Sequence, residues 1–427
     1  MTEEFLYYLW KLKLLKEPLF TVDGNEIIIN NTGERNYDSG PDFLFTKIKI
    51  GDTTWAGNVE MHLRSSDWYR HHHDVDKAYD NVILHVVYQY DKPVFFQSGE
   101  EIPTLEVKGK FDRQIYENYL NLIRSDDTVA CAKSVEKVSD LEKMFWLERV
   151  MTERFEEKSE SIKNDLANSN SDFQEIFYQK LARSFGFKTN SDAFEQLARS
   201  LPLKILLKHI DNRLQIEALL YGQAGLLKGN YKEEYPVELK KEYDFLAQKY
   251  GLKKMPVGVW KFMRMRPVNF PTIRISQFAG LLYRSGGLFH KIPGMNHLSD
   301  VVALLRVSAS GYWNNHYRFG KVSKGKEKTI GAASANLILI NTVIPFVFVY
   351  GSWTNKPAMR QKALLWMEQI NPENNKIVRI YKSMGFPIKN AMHSQAVIGL
   401  KKHYCDPKRC LDCQIGQKIL GRITHNT

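Results

Sequence analysis

Residues 81–90, Asn-Val-Ile-Leu-His-Val-Val-Tyr-Gln-Tyr, are the strongest strand signal in the chain. Successive side chains of a strand point to opposite faces, so a near-continuous β-branched and aromatic run is apolar on both. It predicts a buried central strand, with neighbours at its edges and cover above and below. The flanking sequence supplies them. Phe5, Tyr8, Leu9, Leu12 and Leu15 predict a helix over 4–16. Phe20 to Ile29 reads as a strand pair around Asp23-Gly24, and 31–41 as a loop. Phe43 to Ile50 and Thr53 to Leu63 read as a hairpin around Gly51-Asp52. Residues 66–80 are polar with helical potential, and Pro103 to Val107 is a further strand. Beyond about 111 the spacing turns helical, over 139–168, 172–186, 191–200 and 212–227, with connectors at 168–171 and 188–191.

The chain of 427 residues has room for two or three domains. We divide it into 1–110, an α/β core; 111–250, helical; and 251–427, mixed and mostly helical. Four cysteines do not make a disulfide framework. The acidic start Met1-Thr2-Glu3-Glu4 is unlike a secretion signal. No apolar run is expected to reach the roughly 18 residues of a membrane span, and a cytoplasmic location follows as the expectation. Charge is uneven: residues 251–427 hold 27 Lys+Arg against 6 Asp+Glu, whereas residues 1–250 are net −9. So basic a half points to a polyanion, nucleic acid first, with the acidic half of the same chain as the alternative partner.

Gly40-Pro41-Asp42-Phe43 and Asn58-Val59-Glu60-Met61-His62 carry the candidate chemistry. Two carboxylates on adjacent strands suit Mg²⁺ or Mn²⁺, which take oxygen ligands and assist phosphodiester hydrolysis. Glu60 and His62, two apart on a strand, share a face. A plain turn at Gly51-Asp52 sets Asp42 opposite Met61, on the wrong face. One extra residue in the second strand would correct this, so a bulge is expected near Gly57, or a bend just after Pro41. His72, His73 and Asp76, from the run 67–76, are candidates to back the site. His85 reads as a hydrogen-bonded core histidine, and Glu34 and Asp38 as further carboxylates.

Pro41-Asp42 and Glu60-Met61-His62 resemble the motif of the PD-(D/E)XK nuclease superfamily. The order helix, strands, helix, strand is similar to its restriction-endonuclease-like αβββαβ core. The resemblance implies an α+β fold and a metal-dependent nuclease in which Asp42 and Glu60 bind the metal. His62 stands where that pattern has lysine, and a neutral imidazole is a poorer clamp for phosphate. The chain as a whole resembles an uncharacterised bacterial domain-of-unknown-function family, through GPDF, the NVEMH–SDW–HHHD run and the C-terminal cysteines. That wider resemblance implies no established activity.

Three of the four cysteines fall within nine residues, at Cys405, Cys410 and Cys413. With His403 they make a candidate structural Zn²⁺ site, His393 and His425 standing behind as other nitrogen donors. The spacing C-x₄-C-x₂-C also occurs in plant-type iron–sulfur proteins, which need a distant fourth cysteine; only Cys131 remains for it. Lys408 and Arg409 flank the cluster. Arg264, Arg266 and Arg274 interleave with aromatics around two prolines, and Arg318 leads into Lys321 and Lys324. Such segments can stack on bases and hold phosphates.

These readings converge on a divalent-metal-dependent nuclease of DNA or RNA. Its parts would be a nuclease-like core, a helical middle and a basic C-terminal part with a small Cys-rich metal site. The alternatives are a non-catalytic nucleic-acid-binding protein on the same scaffold, or a protein-interaction scaffold. No Walker A or Rossmann run is present.

Overall fold

The computed structural model describes residues 1–169 and 172–421. Asn170, Ser171 and His425 therefore lie outside the described residues. The chain forms two compact units that do not follow its linear order. The first holds residues 1–146, a short return at 383–386 and the C-terminal segment from Gly399; the second holds 147–382 and 387–398.

The first unit is built on one mixed sheet. Helix α1 (Glu3–Lys11) starts at Thr2, whose hydroxyl accepts from Phe5 N–H, and buries Phe5, Leu6, Tyr8, Leu9 and Trp10. Then come β1 (Leu19–Phe20), β2 (Glu26–Asn31), β3 (Glu34–Arg35), β4 (Phe43–Ile50), β5 (Thr53–Arg64), β6 (Val82–Gln89) and β7 (Thr104–Glu106). The order across the sheet is β1-β2-β4-β5-β6-β7, with β3 paired to β4. Strands β2, β4 and β5 pair antiparallel; β5, β6 and β7 pair parallel. Strand β6 lies between β5 and β7 and is buried from Val82 to Val87, as its apolar run requires. The two ends of the sheet are the short strands β1 and β7, which leave little edge for other chains to pair with.

Between β5 and β6 the polar stretch makes only a single helical turn, α2 (Asp67–Arg70), followed by turns and a 3₁₀ turn at Lys77–Tyr79. Trp68, Tyr79, Val82, Val94 and Ile102 form a small core beneath it. Helix α3 (Arg113–Arg124) follows the sheet, capped by the Asp112 side chain.

The second unit is helical apart from a short hairpin, His316–Arg318 paired with Lys321–Val322. Its central helix Pro271–Ser285 is buried on nearly every side, packing on Arg213–Gln223 and Phe173–Phe185, as an all-round apolar helix must. Residues 332–353 run as one helix with a π-helical turn at Leu339–Val343. By length and composition alone that helix could cross a membrane, contrary to the expectation that no such run exists. The polar Asn341 and Thr342 and the helix-breaking Pro345 divide the stretch in the sequence, but the π turn absorbs them and joins the two parts. Most of the helix is buried inside this unit, as a core helix is.

Candidate metal centre

The site is made by one irregularity in the β4–β5 ladder. From Ile50↔Thr53 to Thr46↔Gly57 the register is regular; the next pair is Phe43↔Val59. Leu44 and Phe45 together face one residue, Asn58, so β4 carries the extra residue. Phe45 adopts φ +58° and turns its ring to solvent. The extra residue therefore sits in the first strand, at Leu44–Phe45 a few residues past Pro41, and not near Gly57 in the second. Gly57 is needed for close packing instead. A Cβ there would lie 2.4 Å from Ile83 Cγ2 and 2.7 Å from Asn81 O, so glycine lets the start of β6 approach.

The bulge brings Asp42 level with Glu60. Asp42 N–H donates to Glu60 Oε2 at 3.0 Å, and Met61 N–H donates to Asp42 Oδ2 at 3.0 Å. Glu60, His62 and, from the paired strand β6, His85 share one face. His62 Nδ1 lies 2.9 Å from His85 Nε2, and His62 Nε2 lies 3.0 Å from His71 Nδ1.

His71 and His73 arrive from the turn after α2. His72, between them, has φ +62°, which reverses the chain so that its two neighbours return to the sheet. His73 N–H donates to Trp68 O; its ring stacks on Tyr79 at 3.7 Å and meets Trp68 edge-on. Its Nε2 is 3.3 Å from Glu60 Oε1, and His62 Nε2 is 3.5 Å from the same oxygen. One nitrogen from each of His62, His71 and His73 falls within 4.8 Å of the others. Glu60, His62 and His85 are buried, while His71 is exposed and gives the site its opening.

Helix α1 closes another side. Glu3 and Tyr7, four residues apart, face the same way. The Tyr7 hydroxyl hydrogen-bonds Asp42, and the Arg35 guanidinium lies 4.1 Å over the Tyr7 ring. Glu3 is a charge neighbour of Asp42, Glu60 and His71.

The electrostatics are those of a site short of positive charge. Burial, then the Glu60 charge, pushes the Asp42 carboxyl up to about 7. Burial pushes Glu60 up to about 8, with Glu3 adding to it. Burial and the surrounding imidazoles hold His62 down to about 2, and burial with His73 holds His85 down to about 3. Glu60 is buried and Asp42 half-buried, His62 and His85 are held neutral, and Arg35 acts on Asp42 as a partial counter-ion. A divalent cation would supply the rest, so the donor set fits such an ion.

Of the residues singled out in the sequence, Asp42, Glu60, His62 and His73 come together. His72 is exposed and outside the set, and the Asp76 carboxylate is spent on Ala78 N–H while its charge reaches His73. His85 does more than fill the core, because it holds His62. Asp38 and Glu34 are exposed. Glu3, Tyr7 and His71 were missed. Glu3 and Tyr7 are distant in sequence, and only the left-handed turn at His72 selects His71 over its neighbour.

The basic residues divide. Arg264, Arg266, Arg318, Lys321 and Lys324 are exposed. Arg318 sits over Phe262 and Phe270, so those rings are covered by a cation of the chain itself. Arg274 is a buried residue, donating to Gln277 and Asn269 and lying over Phe187; it is a structural cation, not a surface phosphate contact. Lys408 Nζ donates to Ile123 O and Ser125 O, and Arg409 pairs with Asp412. Cys410 and Cys413 are buried, Cys405 is half-buried, and His403 shares the π-helical turn Lys401–Cys405 with Cys405.

A family model described as a protein of unknown function, DUF2851, matches residues 3–376. The chain belongs to this family. The DUF2851 match takes in Glu3, Asp42, Glu60 and the histidine turn, and ends before Cys405, so the cysteine cluster lies outside it. No curated protein and no solved structure matches this DUF2851 chain.

Proposed function

We propose that this protein is a divalent-metal-dependent nuclease whose centre is Asp42, Glu60, His62, His71 and His73. One observation carries the reading: the bulge at Leu44–Phe45 turns Asp42 onto the face of Glu60 and His62, where two further imidazoles converge. The sheet supports a restriction-endonuclease-like core, since an antiparallel β2-β4-β5 meander is followed by a parallel β6. The intervening helix is reduced to one turn.

Asp42 and Glu60 would hold the metal through oxygen, with His62, His71 and His73 as nitrogen donors. Such an ion supplies Lewis acidity to a phosphodiester. A mixed nitrogen and oxygen set suits Mn²⁺ better than Mg²⁺, which prefers oxygen and water. His62, neutral and held by His85, serves as an oriented donor and not as a cationic clamp. Tyr7 fixes the Asp42 carboxyl. His71, at the opening, is placed to meet solvent or substrate. The exposed cations Arg264, Arg266, Arg318, Lys321 and Lys324 would hold the polyanion.

A second reading, nucleic-acid binding without cleavage, is favoured by the burial of Glu60 and His62, which leaves substrate only the His71 side. Cleavage of labelled single- and double-stranded DNA and RNA with Mn²⁺ or Mg²⁺ separates the two. Metal-dependent cleavage lost in Asp42→Ala and Glu60→Ala supports the nuclease. Salt-sensitive binding with no cleavage by folded, metal-loaded protein supports the second reading.

A further inference from the structure

We infer that Cys131 joins Cys405, Cys410 and Cys413 in one four-thiolate site for a thiophilic metal centre, an iron–sulfur cluster or a zinc ion. The site would tie the C-terminal segment to the loop after α3, within the first unit.

The two stretches of chain are already laid together. Lys408 Nζ donates to Ile123 O at 2.6 Å and to Ser125 O at 3.1 Å, and Lys401 Nζ donates to Thr128 O at 3.3 Å. Cys131 follows within a tight turn, where Ala132 N–H donates to Val129 O and Ser134 N–H to Cys131 O. On its far side the helix Gln414–Leu420 packs on both α3 and the 3₁₀ turn Val135–Lys137. The segment bearing Cys131 is thus held at both ends by the segment bearing the other three cysteines.

Cys131 and Cys405 each lie within electrostatic range of the other three cysteines. Burial raises the Cys131 thiol, and Cys405 and Cys410 raise it further; Cys405 and Cys131 do the same to Cys413, and Cys405 to Cys410. The turn is also shaped to present sulfur. Lys408 takes φ +54° between Cys405 and Cys410. The Cys413 sulfur accepts from the backbone N–H groups of Ile415 and Gly416. Gly416 permits this: a Cβ there would lie 2.1 Å from Cys410 O.

His403 is poorly placed for the fourth position. It stands two residues before Cys405 on one helical turn. Side chains so spaced on a helix do not face each other. With Cys131 in its place, the local argument for zinc falls away. Four thiolates suit both zinc and iron–sulfur centres, and C-x₄-C-x₂-C with a distant fourth cysteine is an iron–sulfur spacing.

The test uses the full chain, produced with iron and zinc available and purified without oxygen. Iron, zinc and acid-labile sulfide are measured together with visible absorption, and X-ray absorption spectroscopy reads the ligand shell. The expected result is a bound metal with sulfur-only protein ligation, lost in Cys131→Ser and kept in His403→Ala. Iron with equivalent sulfide and a visible charge-transfer band names the cluster; zinc alone names zinc. A folded, metal-free chain overturns the proposal. So does nitrogen in the wild-type shell, or metal kept in Cys131→Ser and lost in His403→Ala. The wild-type shell decides even if Cys131→Ser does not fold.

Discussion

The Asp42 backbone N–H donates to Glu60 Oε2, while the Asp42 carboxyl accepts from the N–H of Met61, the residue after Glu60. This reciprocal pair locks half-buried Asp42 and buried Glu60 side by side. Neither can move away from the other without breaking a backbone hydrogen bond, so their repulsion is built into the fold. The pH response of the pair, and the metal affinity proposed for the centre, both follow from that lock.

Stability of the metal-free protein should fall as pH rises from 6.5 to 8. Asp42 and Glu60, raised to about 7 and about 8, hold protons in the folded state that the unfolded chain has already released. The folded state binds more protons in this window, and stability falls with pH. His62 and His85, lowered from 6.5, act in the opposite sense, an effect that fades as pH rises past 6.5. Denaturant titrations at several pH values check this. The combined Asp42→Asn and Glu60→Gln variant should lose the slope, and Mn²⁺ should flatten it. An unchanged slope in the variant would place the effect elsewhere.

His85→Ala should weaken metal binding about 10- to 100-fold, the usual cost of removing a group that orients a ligating imidazole. His62 Nδ1 and His85 Nε2 are 2.9 Å apart, so His85 can accept the proton that leaves His62 Nε2 free to ligate. Calorimetric titration with Mn²⁺ measures the loss. His85→Asn, which keeps an acceptor, should recover part of it.

The bulge and the glycine beside it should respond oppositely to small changes. Phe45→Gly removes a bulky residue from a left-handed conformation and should keep or raise stability by about 1 kcal/mol. Gly57→Ala forces a methyl into Ile83 and the Asn81 carbonyl and should cost about 1–3 kcal/mol. Thermal unfolding of both variants checks the pair.

Removing Lys321 or Lys324 should reduce the salt dependence of nucleic-acid binding by roughly one counter-ion each. Arg274→Ala should leave that slope unchanged and lower stability instead, because its guanidinium is hydrogen-bonded inside the helical unit. Binding isotherms over a range of salt, beside unfolding curves, tell the two kinds of cation apart.

Strand β4 runs from Phe43 to Ile50, as its alternation and the Gly51-Asp52 turn indicate, and β6 is the interior strand its apolar run demands. These were legible because pattern and turn chemistry are local. That a register correction was needed was also legible, from the count of residues between Asp42 and Glu60. Its place was not, because the backbone at Phe45 leaves no mark on an ordinary β-favouring residue. The glycine at 57 drew attention for a packing reason instead. Choosing His71 and His73 over His72 required the conformation of one turn. Glu3 and Tyr7 enter through helix packing, which no local pattern encodes.

The convergence of Glu60, His62, His71 and His73 with Asp42 on one metal ion is the property on which the proposed chemistry depends. Mn²⁺ binding followed by electron paramagnetic resonance tests it most directly, on wild type, Glu60→Gln, His73→Ala and His72→Ala. Tight binding is expected of wild type and of His72→Ala, with loss in Glu60→Gln and His73→Ala. Failure of folded wild type to bind Mn²⁺, or equal loss in His72→Ala, would contradict it.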